Sequence, residues 1–332
     1  MLQTSDQPTA DFEVAVIGGG AAGLTAAVTL GRSRRSVVVI DSGAPRNAPS
    51  DGIHMFLTRD GMKPADFART GRAEAVSYGA VVLDGEAVGV FRTAGGFELS
   101  LADGRTISAT RLLVTTGLVD ELPDVPGVRE LWGRDVHHCP YCHGYELQGR
   151  SVGVLSSGQL GLHRALMFRQ LVTDLTLFVH DAPEPTSDEA EQLAARGIRV
   201  VTGLVDSLRI VDGRLAGVNM RDGSFVAQQS LAVGPRMVAR SKVLTSLGLS
   251  TTGHPMGLGE FVAGDVTGLT EIPGVWVAGN VTDLRAGVVG AAAAGMAAAA
   301  AINLDLIADD TRKAVAAYRN SAARTERALA IG

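Results

Sequence analysis

Short apolar runs and an Ala/Leu-rich stretch follow one another at the start of the chain. Phe12–Ile17 is an apolar run of strand length, the residues that follow it to about Leu30 favour a helix, and residues 37–40 form a second apolar run. Short apolar runs bounded by turn residues indicate buried strands. The pattern therefore predicts a strand, a helix and a strand, which is the βαβ unit of nucleotide-binding sheets.

The same order of elements recurs further along the chain. Ser151–Leu155 is again an apolar run, a helical stretch follows to about Val172, and residues 175–179 are again of strand length. Both parts continue with two turns at glycine-containing pairs and a last apolar strand, in residues 86–116 and 204–233. Such a repeat indicates an internal duplication. The predicted fold is α/β, with two Rossmann-like dinucleotide-binding domains that carry inserted β-meanders.

A glycine-rich turn joins the first predicted strand to the first predicted helix. It has the form G-x-G-x-x-G and contains Gly18, Gly20, Ala21, Ala22 and Gly23. In such a turn the first glycine permits the tight bend, the second lets the backbone approach a pyrophosphate, and the third lets the helix pack closely. Asp41, at the end of the next strand, is placed to bind a ribose hydroxyl. The alternative is a glycine-rich structural turn, but the flanking strand and helix and the spacing of the acid favour a dinucleotide site.

A second strand-to-helix turn lies late in the chain. Residues 274–280 end at Gly279 and Asn280, and an Ala-rich helix containing Val288 follows. Backbone N–H groups at such a turn hold anions, so a second anionic part of the cofactor is predicted here. The first domain is therefore predicted to be discontinuous, with residues 1–118 and 247–332, while residues 119–246 form the second. Candidate hinges are residues 118–127 and 244–248.

Three histidines lie beside the two cysteines of the chain, in the order His137, His138, Cys139, Cys142, His143. A C-x-x-C pair can close a disulfide across one short turn, and neighbouring positive charge and N–H groups stabilise its thiolate. The alternative is a structural zinc site, for which these residues supply at most three ligands. A redox-active cysteine pair is the favoured interpretation, and no metal is predicted.

Composition limits the possible partners. The chain has 332 residues, 46% of them hydrophobic and 20% charged, which is typical of a soluble globular protein of about two domains. A net charge of -5 disfavours nucleic-acid binding. Residues 286–302 are apolar but mostly Ala and Gly, which favours a buried helix over a membrane span. The first residues lack the pattern of a signal peptide, so a cytoplasmic protein is expected.

These motifs together resemble the low-molecular-weight thioredoxin reductase family, and the resemblance covers nearly the whole chain. Residues 41–47, 59–61 and 139–146 are more similar to the branch of FAD-dependent dithiol oxidases that close disulfides in gliotoxin- and holomycin-type natural products. The resemblance implies FAD as the cofactor, a small dithiol as the substrate, O₂ as the acceptor giving H₂O₂, a homodimer, and a role in antibiotic biosynthesis.

The resemblance also assigns roles to residues. The second cysteine of the family faces the flavin and the first exchanges with the substrate, so Cys142 is expected to be the flavin-proximal thiol and Cys139 the interchange thiol. Independently of the resemblance, His137, His138 or His143 is a candidate proton acceptor, because an imidazole accepts protons near neutral pH, and His138 and His143 are the candidate catalytic groups. Further cofactor-binding candidates are Arg46, Asn47, His54 and Gly117.

The sequence departs from the reductases at the second nucleotide site. Ser156 stands at the first glycine position, and between residues 179 and 198 only Arg196 stands among five acids. An acidic segment repels the 2′-phosphate of NADPH, whereas NADH remains possible because Asp181 can bind a ribose. The alternatives to an oxidase are therefore a disulfide reductase fed by NADH or another carrier, and a non-enzymatic flavin- or metal-binding redox sensor.

Overall fold

The computed structural model describes residues 11–156, 160–240 and 242–329. The strands of the first half are β1 (Phe12–Ile17), β2 (Val37–Asp41), β3 (Val81–Asp84), β4 (Ala87–Thr93), β5 (Gly96–Leu101), β6 (Thr106–Val114), β7 (Leu118–Glu121) and β8 (Val136–His137). Its helices are α1 (Ala21–Arg32), α2 (Pro64–Ser77), α3 (Val128–Leu131) and α4 (Pro140–His143).

The second half supplies the remaining elements. Its strands are β9 (Ser151–Leu155), β10 (Asp174–Phe178), β11 (Arg199–Val201), β12 (Val205–Val211), β13 (Arg214–Met220), β14 (Phe225–Ala227), β15 (Ser230–Ala232), β16 (Arg236–Ala239), β17 (Thr252–Gly253), β18 (Gly259–Phe261) and β19 (Val275–Val277). Its helices are α5 (Gly161–Arg169), α6 (Ser187–Ala195), α7 (Lys242–Thr245) and α8 (Val288–Leu329).

Two sheets repeat one topology. In the first, the parallel strands lie in the order β3-β2-β1-β6-β19, and β4 and β5 extend β6 as an antiparallel meander. In the second, the parallel order is β11-β10-β9-β15-β8, and β12, β13 and β14 form the meander. The predicted fold of two Rossmann-like domains with inserted meanders is confirmed. Apolar side chains cover both faces of each sheet, as buried parallel strands require.

A further sheet of four strands joins the two halves, in addition to the two parallel sheets and the separate three-stranded meander of the second half. β7 pairs antiparallel with β16, and β18 and β17 continue the sheet on the far side of β16. β7 lies in the first segment that the sequence suggested as a hinge, and the end of α7 overlaps the start of the second. The domain boundaries after residues 118 and 246, and the hinges themselves, stay predictions.

Several element ends differ from the sequence-based prediction. The strand β6, which was expected to end at residue 116, ends at Val114. The helix α5, which was expected to reach Val172, ends at Arg169. There the N–H groups of Leu171 and Val172 both donate to the Phe168 carbonyl, which tightens the last turn. Hydrophobic periodicity contains no information on such local hydrogen bonds. It therefore predicts the ends of helices and strands less accurately than their presence.

α8 is longer and less buried than predicted. It extends to Leu329, and only one face packs on the first domain, through residues such as Ala298, Ile302 and Leu306. A Cβ on Gly295 would lie 2.0 Å from the Ala22 carbonyl oxygen, so small residues allow α8 to approach α1 closely. Residues 288–321 are long and apolar enough to span a membrane, but a core helix passes the same test.

Candidate active site

The first glycine-rich turn is tightly packed at its first and last glycines, Gly18 and Gly23, and open at the middle one, Gly20. Gly18 has φ +111°, and a Cβ there would lie 2.5 Å from the Thr115 carbonyl oxygen. A Cβ on Gly23 would lie 1.9 Å from the Gly18 oxygen, whereas a Cβ on Gly20 would meet no heavy atom within 4 Å. Gly18 and Gly23 are therefore required by packing, and Gly20 faces open space.

The start of α1 is suited to an anion. Its N-cap residue is Gly20, which has no side chain to cap the first backbone N–H groups of the helix. Asp41 lies close by, because a Cβ on Gly19 would come within 2.5 Å of its carboxylate. Free N–H groups, the positive end of the helix dipole and a nearby carboxylate fit the pyrophosphate and ribose of a dinucleotide.

One cavity of about 1200 Å³ adjoins this turn. Nearly all residues that the sequence suggested for cofactor binding line it, namely Gly18, Gly20, Ala21, Ala22, Asp41, Arg46, Asn47, His54, Gly117, Gly279, Asn280 and Val288. Gly23 does not line the cavity, because it packs against Gly18. The residues and the space fit FAD, and their binding roles stay predictions.

Arg46 joins four parts of the cavity wall. Its guanidinium donates to both carboxylate oxygens of Asp120, at 2.7 and 2.6 Å. It also contacts Asn280 Oδ1 at 3.4 Å and His138 Nε2 at 3.4 Å. Sequence reasoning missed Asp120, because this residue lies in a segment with no motif of its own. Only its two hydrogen bonds with the Arg46 guanidinium identify it as part of the site.

The two cysteines form the predicted disulfide across one turn. Cys139 precedes α4, its Sγ is bonded to that of Cys142, and the Cys142 backbone N–H donates to the Cys139 Sγ at 3.2 Å. Cys142 lines the cavity and Cys139 is not among the described lining residues. Within the described parts of the chain, no group of three His, Cys, Asp or Glu side chains is placed to hold a metal ion.

His143 is a buried imidazole with one free ring nitrogen. Its Nε2 lies 3.1 Å from Ser50 Oγ, and Ser50 donates its hydroxyl proton to the Gly52 carbonyl at 3.0 Å. Ser50 Oγ therefore accepts from the His143 Nε2–H, which leaves Nδ1 of the neutral ring unprotonated. That Nδ1 is buried and has no hydrogen-bond partner in the described structure. Burial lowers the pKa of His143, so the ring is neutral at pH 7.

His137 and His138 are also held neutral. Burial lowers the pKa of His138 to about 3, and the neighbouring Arg46 charge adds to this effect. Arg46 is always a donor, so His138 Nε2 accepts and the ring stacks on Trp132 at 5.5 Å. Burial lowers the pKa of His137 to about 4, and its ring stacks on His143 with centroids 4.6 Å apart.

Known proteins are similar to this chain in sequence. Residues 12–303 match the family described as pyridine nucleotide-disulphide oxidoreductase. The chain belongs to this family. Thioredoxin reductase tcpT of Claviceps purpurea (strain 20.1) is 32% identical over 305 residues, which are 89% of this chain and 94% of the relative.

Solved structures agree with the family assignment. The crystal structure of HlmI has a TM-score of 0.87 and 46% sequence identity, and the match covers 94% of this chain and 98% of HlmI. The oxidoreductase from Agrobacterium tumefaciens has a TM-score of 0.84 and 32% identity, over 89% of this chain and 98% of that one. The resemblance to thioredoxin reductase-like flavoproteins is confirmed, and the protein is a flavin-dependent thiol-disulfide oxidoreductase.

The second nucleotide site of this oxidoreductase differs from the first. Ser156 is 6% exposed and is not among the described residues with positive φ, in contrast to Gly18. A Cβ on Gly161 would lie 1.8 Å from Ser156 Oγ, so the hydroxyl side chain fills the approach to α5. The rest of the predicted turn, residues 157–159, lies outside the described residues. The start of α6 is closed by Thr186 and Glu189, which cap its backbone N–H groups reciprocally.

The three buried imidazoles of this oxidoreductase predict loss of stability in acid. A histidine that is neutral when folded takes up a proton only on unfolding, so the free energy of unfolding falls as pH drops below about 6.5. With folded pKa values of about 4 and about 3 for His137 and His138, the loss between pH 7 and pH 5 is roughly 2 kcal/mol for each. Urea unfolding at both pH values measures it. His138→Gln keeps an acceptor for Arg46 and reduces the loss by about 2 kcal/mol, whereas an unchanged loss would contradict the assignment.

Proposed function

We propose that this oxidoreductase is an FAD-dependent dithiol oxidase that closes an intramolecular disulfide in a small dithiol and passes the electrons to O₂. It would act in the cytoplasm, in the biosynthesis of a dithiol-derived antibiotic. The observation that carries the proposal is the position of Cys142 on the wall of the cavity lined by Gly20, Asp41 and Gly279. Cys142 and the residues proposed to bind FAD thus line one cavity.

Disulfide exchange at Cys139 begins the reaction. A substrate thiolate attacks the Cys139 Sγ, the Cys139–Cys142 bond breaks, and Cys142 leaves as a thiolate. The second substrate thiolate then attacks the substrate sulfur of the mixed disulfide, and Cys139 leaves. The substrate loses two electrons and two protons and gains its S–S bond, while the cysteine pair is reduced to the dithiol.

The position of Cys139 before α4 favours its release from the mixed disulfide. Its Sγ accepts the Cys142 N–H at 3.2 Å, and the same hydrogen bond stabilises a Cys139 thiolate when the substrate is released. When bound, FAD supplies the two-electron acceptor that restores the Cys139–Cys142 disulfide and reduces O₂ to H₂O₂.

His143 provides the proton acceptor that thiol chemistry requires. It is neutral, it lines the same cavity as Cys142, and its Nδ1 carries a free lone pair. The Ser50 hydroxyl fixes this tautomer by accepting the Nε2–H. His143 Nδ1 can therefore take the proton of an incoming thiol and pass it to a cysteine thiolate as the pair is reduced to the dithiol.

The second domain gives little support for a nicotinamide donor. The buried Ser156 side chain stands where a glycine would let the backbone approach a pyrophosphate. Asp188 and Glu189 lie in the first turn of α6, where a 2′-phosphate would meet two negative charges. Asp181, which the sequence suggested as a ribose ligand for NADH, is exposed in the turn after β10.

Anaerobic mixing of the FAD-loaded protein with single reductants tests the proposal. We expect dithiothreitol to bleach the flavin absorbance rapidly, and NADPH and NADH to leave it unchanged over the same time. Admission of air restores the absorbance and yields H₂O₂ in an amount equal to the disulfide formed. Rapid bleaching by NADPH would refute the oxidase, bleaching by NADH alone would establish the reductase alternative, and bound metal in place of flavin would favour the redox sensor.

A further inference from the structure

The guanidinium of Arg164 extends from α5 into the interior of the second domain without an acidic partner. Its Nη1 is buried and has no hydrogen-bond partner in the described structure. Burial lowers the pKa of Arg164, and no carboxylate of the described residues opposes this effect. A guanidinium nevertheless stays protonated at neutral pH. The domain therefore holds a positive charge that the described part of the chain does not neutralise.

Other arginines of low exposure have counter-ions. Three of them, with side chains 12 to 20% exposed, pair with carboxylates, namely Arg35 with Glu13, Arg46 with Asp120 and Arg111 with Asp305. Buried charges are normally paired in this way, because burial removes the water that would otherwise stabilise them. The guanidinium of Arg164 is thus suited to an anion that forms at another stage of the reaction.

The Arg164 guanidinium lies against the backbone of Gly234. A Cβ on Gly234 would come within 2.6 Å of Nη2 and 2.8 Å of Nη1. Gly234 is two residues beyond Ala232, which is paired with His137 in the parallel ladder of β15 and β8. In the same register, Gly234 is level with Cys139. The cation therefore lies close to the start of the C-x-x-C turn.

The charge of Arg164 also acts on the residue before Cys139. Burial is the main cause of the low pKa of His138, and the Arg164 charge adds to it. Charged groups on neighbouring segments have partners of their own within 4 Å, namely Arg46 with Asp120, Asp135 with Arg214 and Glu146 with His54. The Arg164 charge is therefore the one that these pairings leave unbalanced near the disulfide.

We propose that Arg164 is the counter-charge of the thiolate that forms when the Cys139–Cys142 disulfide is reduced, and that it makes this pair a stronger oxidant. The inference deepens the proposed oxidase and rests on it for the direction of electron flow. Arg164 is not among the described residues that line the cavity, so it is a positioning residue that acts through its charge. A positive charge near a cysteine favours its thiolate.

The charge acts on only one side of the redox equilibrium. The substrate dithiol loses two electrons and two protons as its S–S bond forms. The Cys139–Cys142 bond takes the two electrons and breaks; one sulfur binds one proton, the other stays a thiolate, and the second proton passes to solvent. Because the disulfide is uncharged, Arg164 attracts only the reduced pair. This attraction raises the reduction potential of the pair, which favours the oxidation of a dithiol substrate.

A dinucleotide phosphate is a less suitable anion for Arg164. Such a phosphate would enter at the carboxyl ends of β9 and β15. The Ser156 side chain fills the approach to α5, since a Cβ on Gly161 would lie 1.8 Å from its Oγ. The acids Asp188 and Glu189 at the start of α6 repel a phosphate. A thiolate at the cysteine pair requires no opening of this crevice.

Anaerobic redox titration of the FAD-loaded protein tests the proposal. The protein is equilibrated at pH 7 in dithiothreitol redox buffers and quenched in acid, and alkylation with mass spectrometry measures the Cys139–Cys142 disulfide. Arg164→Met removes the charge and should shift the equilibrium at least about tenfold toward the disulfide, a potential lower by about 30 mV. Arg164→Gln, a second neutral variant, should shift it in the same direction. Arg164→Lys keeps the charge and should stay within about threefold of the wild type.

Arg196→Met is the matched control, because Arg196 is an exposed arginine of the same domain and its loss should leave the potential unchanged. Neutral variants with the wild-type potential, or an Arg164→Lys protein with a potential as low as theirs, would overturn the proposal. So would calorimetry in which NADH binds the wild type but not Arg164→Met, since the charge would then serve a dinucleotide. Flavin content and circular dichroism confirm that each variant is folded.

The titration uses neither O₂ nor the natural substrate. An unchanged potential in the neutral variants would therefore refute the role of Arg164 and leave the proposed oxidase intact. Conversely, a protein that O₂ fails to reoxidise would refute the oxidase, while a lower potential in Arg164→Met would still establish the role of the charge.

Discussion

Cys139→Ser and Cys142→Ser each lose dithiol oxidation by at least about 1000-fold, because neither sulfur alone can accept two electrons by disulfide exchange. Their spectra differ. In Cys139→Ser the remaining Cys142 lies on the cavity wall, and its thiolate in contact with oxidised FAD gives a long-wavelength absorption band that disappears on acidification. In Cys142→Ser the band is absent, and Cys139 traps the substrate as a mixed disulfide that mass spectrometry detects.

Tyr141→Phe is the control for the cysteine variants. Tyr141 lies between the two cysteines, is 66% exposed and contributes no sulfur, so its variant should retain most of the activity. The opposite spectra in the two serine variants would exchange the roles of the cysteines. Undiminished oxidation in both would exclude the C-x-x-C pair from the reaction.

Gly20→Val yields a folded protein whose affinity for FAD is at least about 100-fold lower. A side chain at Gly20 meets no protein atom within 4 Å, so it projects into the open space at the start of α1 and leaves the packing of the turn intact. Flavin content after purification and fluorescence titration of the apoprotein measure the loss, and the melting temperature of the apoprotein should match that of the wild-type apoprotein.

Gly23→Val provides the matched comparison. The same side chain at Gly23 would collide with the Gly18 oxygen, at 1.9 Å from Cβ, and should destabilise the apoprotein itself. The two variants thus distinguish a loss of FAD affinity, expected for Gly20→Val, from a loss of apoprotein stability, expected for Gly23→Val. A Gly20→Val protein that carries a full complement of FAD would contradict the binding site, and equal melting temperatures for the two variants would contradict the packing argument.

The repeated order of apolar runs, helical stretches and turns made it possible to predict the fold from the sequence. Apolar runs such as Phe12–Ile17 and Ser151–Leu155 match β1 and β9 residue for residue, and all but their first positions are buried, because strands inside a parallel sheet are covered on both faces. The G-x-G-x-x-G turn was also predictable from the sequence, because the tight turn at Gly18 needs a positive φ that other residues rarely adopt.

The far end of α8 shows where pattern reasoning fails. The sequence predicted a buried helix over residues 286–302, but the helix continues to Leu329, and the face that contains Leu304 and Ile307 is exposed. The sequence of a helix that is apolar on both faces predicts that both faces are buried, even when only one of them packs on the described part of the chain. The tertiary structure alone distinguishes the face that packs on α1 from the face that is left free.

The sequence by itself determined the two-domain α/β fold, the disulfide-forming pair Cys139 and Cys142, and the oxidoreductase family, because each rests on short-range spacing or on a repeated order of elements. Only the tertiary structure decided that Cys142 shares a cavity with Asp41 and Gly279, and that Ser50 fixes the free nitrogen of His143. These relations join segments that are far apart in the chain, and nothing local in the sequence constrains them. They arise when the sheets and the segments between them pack, and that packing also removes the water that would otherwise keep the pKa of His143 near its ordinary value.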